Sequence, residues 1–116
     1  MNSEDLESAR SYRANRTPIP EAAKRYRRGI AYEYKTAKYY RSFGYYVILS
    51  AGSRGLADGI AIGRNHSILF QAKSGTSRFT KEDRAAFVAL PVPRNCIKEL
   101  VEWKFPGKPP VITKLS

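Results

Sequence analysis

Two short apolar runs held two residues apart constrain this chain more than anything else in it. Asp58-Gly59-Ile60-Ala61-Ile62-Gly63 and His66-Ser67-Ile68-Leu69-Phe70 flank Arg64-Asn65, and the second run continues into Gln71-Ala72-Lys73. Isoleucine-rich runs of this length, bounded by turn residues, read as strands. A hairpin about Arg64-Asn65 brings Asp58 and the Gln71/Lys73 pair to the same open end. Gln71 and Lys73 are two apart and so share a strand face. An acid, an amide oxygen and an ammonium then converge on one point.

The remaining elements fall around this hairpin. Thr17-Pro18-Ile19-Pro20 breaks the chain and sets up a helix start, and residues 21–43 suit a helix with Gly44 as its C′ cap. Tyr45-Tyr46-Val47-Ile48-Leu49 is β-branched and aromatic and reads as a buried first strand. The small-residue loop 50–57 leads to the hairpin. After the polar loop 74–78, Thr80 and an acidic first turn open a helix over 81–90, which Pro91-Val92-Pro93 ends. Residues 100–105 read as a fourth strand. The Pro/Gly turn 106–110 returns the chain as a fifth strand over 111–115. Helix, three strands, helix, two strands is a small α/β domain over residues 21–116. Residues 1–20, polar and mixed in charge, read as an arm or extension.

Charge narrows the function classes. Across 116 residues, 21 Lys and Arg face ten Asp and Glu, for a net charge of +11. Such a field implies a polyanionic partner, with nucleic acid ahead of an anionic membrane surface. No apolar run approaches a membrane span, and the first residues lack signal-peptide character. The lone Cys96 excludes an internal disulfide and a multi-Cys zinc site. These observations point to a cytoplasmic nucleic-acid protein (host cytoplasm, for a viral one).

Glu33 stands out within the first helix. Tyr26, Ile30, Ala37 and Tyr40 form a stripe with the spacing of a buried face, and Glu33 lies inside it. Two readings are open: a coordinated or paired carboxylate, or a stripe-edge residue with Tyr34 in the core and a lysine as partner. Asp58 has an ordinary reading as a turn residue, Lys73 as a solvated strand end and Gln71 as an outward amide. His66 reads as a turn residue, and Trp103 as a core or dimer contact.

The combination is more specific than its parts. Arg28-Gly29-x-x-x-Glu33 on the first helix, Phe43-Gly44-Tyr45 before strand one, the Ser50–Gly55 loop, Asp58-Gly59-Ile60-Ala61 and Gln71-Ala72-Lys73-Ser74 together resemble the PD-(D/E)xK nuclease superfamily. Within it the likeness is to the archaeal-type Holliday junction resolvases, over roughly residues 25–115. Two departures are visible. Ala57 stands where Pro is expected before the Asp, and Gln71 replaces the second acid, as in some virus-type replication-repair branches.

The resemblance implies a restriction-endonuclease-like core with a mixed sheet, and hydrolysis of DNA phosphodiesters with Mg²⁺, Mn²⁺ substituting. Asp58, the Gln71 side-chain oxygen, the Ala72 carbonyl and Glu33 are the implied metal ligands. Lys73 orients the attacking water, while Ser53, and after it Ser50, contribute hydroxyls. Arg54 is suited to clamp a phosphate. Arg25, Arg28, Lys35, Arg64, Arg78 and Lys81 contribute to the basic DNA-binding surface. The expected partners are branched double-stranded DNA and a second copy of the chain, since a four-way junction offers two symmetric strands to nick. The alternatives are a flap or mismatch nicking nuclease of the same fold, and a non-catalytic basic DNA-binding protein in which Gln71 marks a retired site.

Overall fold

A computed structural model describes residues 20–50, 56–75 and 78–116; the expected arm, and with it most of the 50–57 loop, lies outside them. Helix α1 spans Glu21–Ser42 and follows Pro20, whose carbonyl accepts from Lys24 N–H at 3.1 Å. Its end is a Schellman turn. Gly44 takes φ +90°, its N–H reaches the Arg41 carbonyl at 2.9 Å, and Tyr45 N–H reaches Tyr40 at 3.3 Å. The cap expected at Gly44 is therefore present.

Five strands follow: β1 (Tyr46–Leu49), β2 (Gly59–Ile62), β3 (Ser67–Ser74), β4 (Cys96–Trp103) and β5 (Val111–Lys114), with α2 (Lys81–Ala89) between β3 and β4. They form one mixed sheet in the order β1-β2-β3-β4-β5. The β1–β2, β2–β3 and β4–β5 pairs are antiparallel, and β3–β4 is parallel, with α2 as the crossover. The hairpin register Gly59↔Phe70 through Ile62↔Ser67 closes on the expected two-residue turn, where Gly63 N–H bonds the His66 carbonyl at 2.9 Å.

The core lies between α1 and one face of the sheet. Ala37 and Tyr40 pack there against Val47, Ala61, Ile68, Phe70, Val101 and Trp103. Trp103 Nε1 donates to Thr36 Oγ1 at 2.9 Å, and Thr36 donates on to the Tyr32 carbonyl. Gly59 is required here by close approach. A Cβ at this position would fall 2.7 Å from the Ile48 carbonyl and 2.7 Å from the Phe70 ring. Pleat alternation puts Lys98 on the opposite face, where its Nζ donates to the Val88 and Leu90 carbonyls, each at 2.6 Å. That bond pair ties the end of α2 to the sheet, giving a helix–sheet–helix layering.

Three expectations change. The buried stripe of α1 does not run its whole length, because Tyr26 is 55% exposed. A 22-residue helix is roughly 33 Å long, longer than even the eight-residue strands β3 and β4 at roughly 26 Å. Strand β1 is not buried on both sides: Val47 faces α1, while Tyr46 and Ile48 are exposed on an edge strand. Strand β4 begins four residues before position 100, at Cys96. The polar look of Ile97-Lys98-Glu99 concealed it, although two carbonyls at the end of α2 satisfy Lys98 and the Tyr40 hydroxyl bonds one oxygen of Glu99.

Candidate active site

The hairpin delivers its open end as the sequence implies. Asp58 N–H bonds the Phe70 carbonyl at 2.9 Å, which extends the β2–β3 ladder by one residue and sets Asp58 across from Gln71. Asp58 Oδ2 accepts from Ala72 N–H at 2.7 Å. Its carboxyl also hydrogen-bonds the Glu33 side chain, and the Lys73 charge lies close enough to act on it. Glu33, Asp58, Gln71, Ala72 and Lys73 line one cleft of about 320 Å³ between α1 and the sheet. Glu33 thus belongs to the coordinated or paired reading, and its partner is an acid.

Burial raises Asp58 above the ordinary carboxylate range. Its bond from Ala72, the Lys73 ammonium and the bond to Glu33 each pull it back down. Two acids brought onto one cleft are a place where a hard cation can offset their charge. The donor set fits Mg²⁺: Asp58 and Glu33 provide anionic oxygens, and the Gln71 side-chain carbonyl and the Ala72 backbone carbonyl are neutral oxygens in the same cleft. Among the described residues no three His, Cys, Asp or Glu side chains group closely enough to hold a metal on their own. An ion held here would draw on the neutral oxygens as well.

Gln71 is the informative departure. It is 9% exposed, and its Nε2 donates to the Leu56 carbonyl. A glutamate here has no N–H to offer, so the approach of the Leu56 carbonyl is matched to the amide. With the nitrogen so engaged, the amide oxygen is the atom left for the cleft.

Several cleft residues carried no functional signal in the sequence. Phe79 stands beneath Lys73, whose Nζ lies 5.9 Å from the ring centre. Asp83 also lines the cleft. Its motif, Thr80-x-x-Asp83, reads only as a helix cap, and the cap is present with Thr80 Oγ1 accepting from Asp83 N–H at 3.1 Å. Tyr32 and Ser74 line the cleft too; Ser74 closes the Gln71-Ala72-Lys73-Ser74 match but had no role assigned to it.

The other expected residues scatter. Ser53 and Arg54 lie outside the described residues. Ser50 donates its N–H to the Asp58 carbonyl at 2.8 Å but borders a separate apolar hollow with Ile48, Ile60 and Leu69, away from the acidic cleft. Arg25 lines the cleft, and Arg28, Arg78 and Lys81 are exposed. Lys35 sits with its ammonium 4.5 Å from the Trp103 ring centre and 5.7 Å from that of Tyr32. Arg64 is at the far end of the hairpin. No helix among the described residues is long and apolar enough to cross a membrane. Comparisons with protein-family models, with curated proteins and with solved structures find no match to this chain.

Proposed function

We propose that this chain is a Mg²⁺-dependent, structure-selective DNA endonuclease that nicks four-way junctions as a homodimer. The observation that carries the reading is the convergence of Glu33, Asp58 and Lys73 on one cleft, the two acids in hydrogen-bond contact. The helix, three-stranded meander, crossover helix and closing strand pair in one mixed sheet support a restriction-endonuclease-like core. The net charge of +11 supports a polyanionic substrate.

Asp58, Glu33, the Gln71 amide oxygen and the Ala72 carbonyl would hold the ion. Bound Mg²⁺ supplies charge neutralisation on the phosphate and activation of water. Lys73, anchored over Phe79, orients the attacking water and offsets charge growing on the phosphoryl oxygens. The Ala72 N–H fixes Asp58 Oδ2, so one carboxylate oxygen is positioned by the backbone before any ligand arrives. Arg25 at the mouth is placed to meet a phosphate. The second copy is supported by the apolar side chains that the sheet leaves exposed away from α1, Tyr46, Ile48 and Ile62. Phe105 is exposed as well, whereas Trp103 is buried under α1 and does not serve as a dimer contact.

The test is cleavage of labelled four-way junction, flap and linear duplex with Mg²⁺, with Mn²⁺ and with chelator. Symmetric nicks in the junction alone, lost in chelator, are the expected result; nicks in the flap alone indicate the flap-nuclease alternative. One observation favours a second reading, a basic DNA binder without catalysis: position 71 carries a neutral amide, its nitrogen bonded to the Leu56 carbonyl, where the resembled family has an acid. Salt-sensitive binding with no product in any lane would establish that reading. Contacts to about 6–10 phosphates make either form of binding fall ~10³–10⁵-fold between 50 and 200 mM salt.

A further inference from the structure

The turn end of the β2–β3 hairpin holds a second cleft, about 680 Å³, within the roughly 300–1,000 Å³ typical of ligand sites. It lies about five residues along β3 from Gln71, roughly 16 Å at strand rise, and shares no lining residue with the acidic cleft. Its walls are aromatic. Phe43, 65% exposed, stands edge-on to Tyr39 with ring centres 5.0 Å apart. Tyr45 is braced by Tyr40 at 5.9 Å and by a 2.7 Å hydrogen bond between its hydroxyl and His66 Nε2. At the base of these rings sits a carboxylate, Glu99, and at the rim a guanidinium, Arg64.

Glu99 is the unexpected member. A half-buried acid among rings is unfavourable unless it has partners. Its Oε1 accepts from Tyr40 at 2.7 Å. No bond to Oε2 and no ion pair to Glu99 are found among the described residues, although Lys114 stands opposite it in the β4–β5 register. Tyr40 stays a donor because burial, and after it the Glu99 charge, push its hydroxyl well above the usual phenol range. The carboxylate is thus oriented by Tyr40 on one oxygen and has no bond to the other among the described residues.

We propose that this cleft binds an unstacked nucleobase, guanine best, with its 5′-phosphate on Arg64. Rings with exposed faces accept any base by stacking, and a carboxylate selects the base edge that presents donors. Guanine offers two adjacent N–H donors on one edge. Thymine offers a single N–H between two carbonyls, which a carboxylate repels. The inference rests on a nucleic-acid partner but not on cleavage, since none of its residues belongs to the acidic cleft.

The experiment uses the full chain in chelator, followed by ¹H–¹⁵N spectra during titration with dGMP, dTMP or 2-deoxyribose 5-phosphate. The expected result is saturable shifts at Gly44, Gly63 and Asn65 with dGMP, at concentrations about tenfold below those needed for the other two ligands. Phe43→Ala, at an exposed position, should weaken dGMP about tenfold, on the scale of a lost stack. Glu99→Gln keeps an acceptor for Tyr40 and should bring dGMP close to dTMP. Equal binding of dGMP and the base-free sugar phosphate overturns the proposal, as do shifts confined to Asp58, Ala72 and Lys73, or unchanged affinity in both variants. Asp58→Asn should bind dGMP like the wild type. A chain that binds dGMP but nicks no junction refutes the nuclease reading alone.

Discussion

The two ends of one hairpin carry opposite chemistry. At the open end, Asp58, Glu33, Gln71 and Lys73 put polar atoms around a small cleft in which burial raises the Asp58 carboxyl. At the turn end, rings surround a single carboxylate whose donor, Tyr40, cannot easily ionise. The open end is built from residues on adjoining strands plus one helix position. The turn end depends on a bond spanning 59 residues of sequence, Tyr40 to Glu99. The first end carries a raised carboxyl, Asp58, which works against the stability of the fold at neutral pH. The second is internally satisfied and contributes to the fold as it stands.

The largest expected effect separates these two roles. Asp58→Asn should lower junction cleavage at least about 10³-fold, the scale for removing one member of a unit that acts together, with junction binding kept. The same change should raise the melting midpoint in chelator by about 2–5 °C. The sign follows from the shift: folding holds Asp58 above its ordinary range, so at neutral pH its carboxylate opposes folding. An asparagine can accept from Ala72 and donate to Glu33. A midpoint that falls in the variant would show that Asp58 supports the fold, and the contrast between the two ends would collapse.

Lys98→Met acts on the open end from a distance. Lys98 is 2% exposed and bonds two carbonyls at the end of α2, the helix that brings Asp83 and follows Phe79 into the cleft. Removing it should cost about 2–4 kcal/mol and lower the midpoint by about 10 °C or more. Cleavage at a temperature where the variant is folded should fall, while dGMP shifts at the turn end stay as in the wild type. Loss of both together would mean that the two ends are one cooperative unit.

That contrast also sets what the sequence could disclose. The hairpin, its turn and the Asp58–Gln71–Lys73 end were legible because local alternation and a two-residue connection determine them. Gly44 was legible as a cap for the same local reason. Glu33 stood out only as an acid on an apolar stripe, and the structure gives its partner. Strand β4 was half hidden because Lys98 and Glu99 look solvent-facing until distant carbonyls and a distant phenol satisfy them. Ser50 followed the loop pattern, yet the strand end turns it away from the acids. The turn-end cleft was not legible as a site: Phe43-Gly44-Tyr45 read only as the lead into strand one, and its other members come from α1, the hairpin turn, β3, β4 and β5.

Gln71→Glu sharpens the open end alone. It exchanges the N–H facing the Leu56 carbonyl for a second acceptor, which should cost about 1–3 kcal/mol in chelator. It also adds an acid beside Asp58 and Glu33, so the gain in melting midpoint on adding Mg²⁺ should exceed that of the wild type. Melting curves with and without the ion read both effects. No larger gain with Mg²⁺ would show that the amide oxygen already serves the ion as well as a carboxylate does.

The smallest effect belongs to the turn end and appears only in alkali. Tyr40→Phe removes the bond to Glu99 and should cost about 0.5–1.5 kcal/mol near pH 8. In the wild type the phenol is held far above its usual value of 10.0, so the folded chain keeps a proton that the unfolded chain gives up. The stability this contributes is complete below pH 10 and is lost as pH rises beyond it, by at most about 1.4 kcal/mol per unit. Phenylalanine has no such proton. Urea unfolding should therefore show the wild type ahead at pH 8 and the two chains level, or the variant ahead, at pH 11. An undiminished gap at pH 11 would mean that Tyr40 ionises freely in the fold and cannot hold Glu99 in place. The turn end would then lack the preorganised carboxylate that distinguishes guanine from thymine.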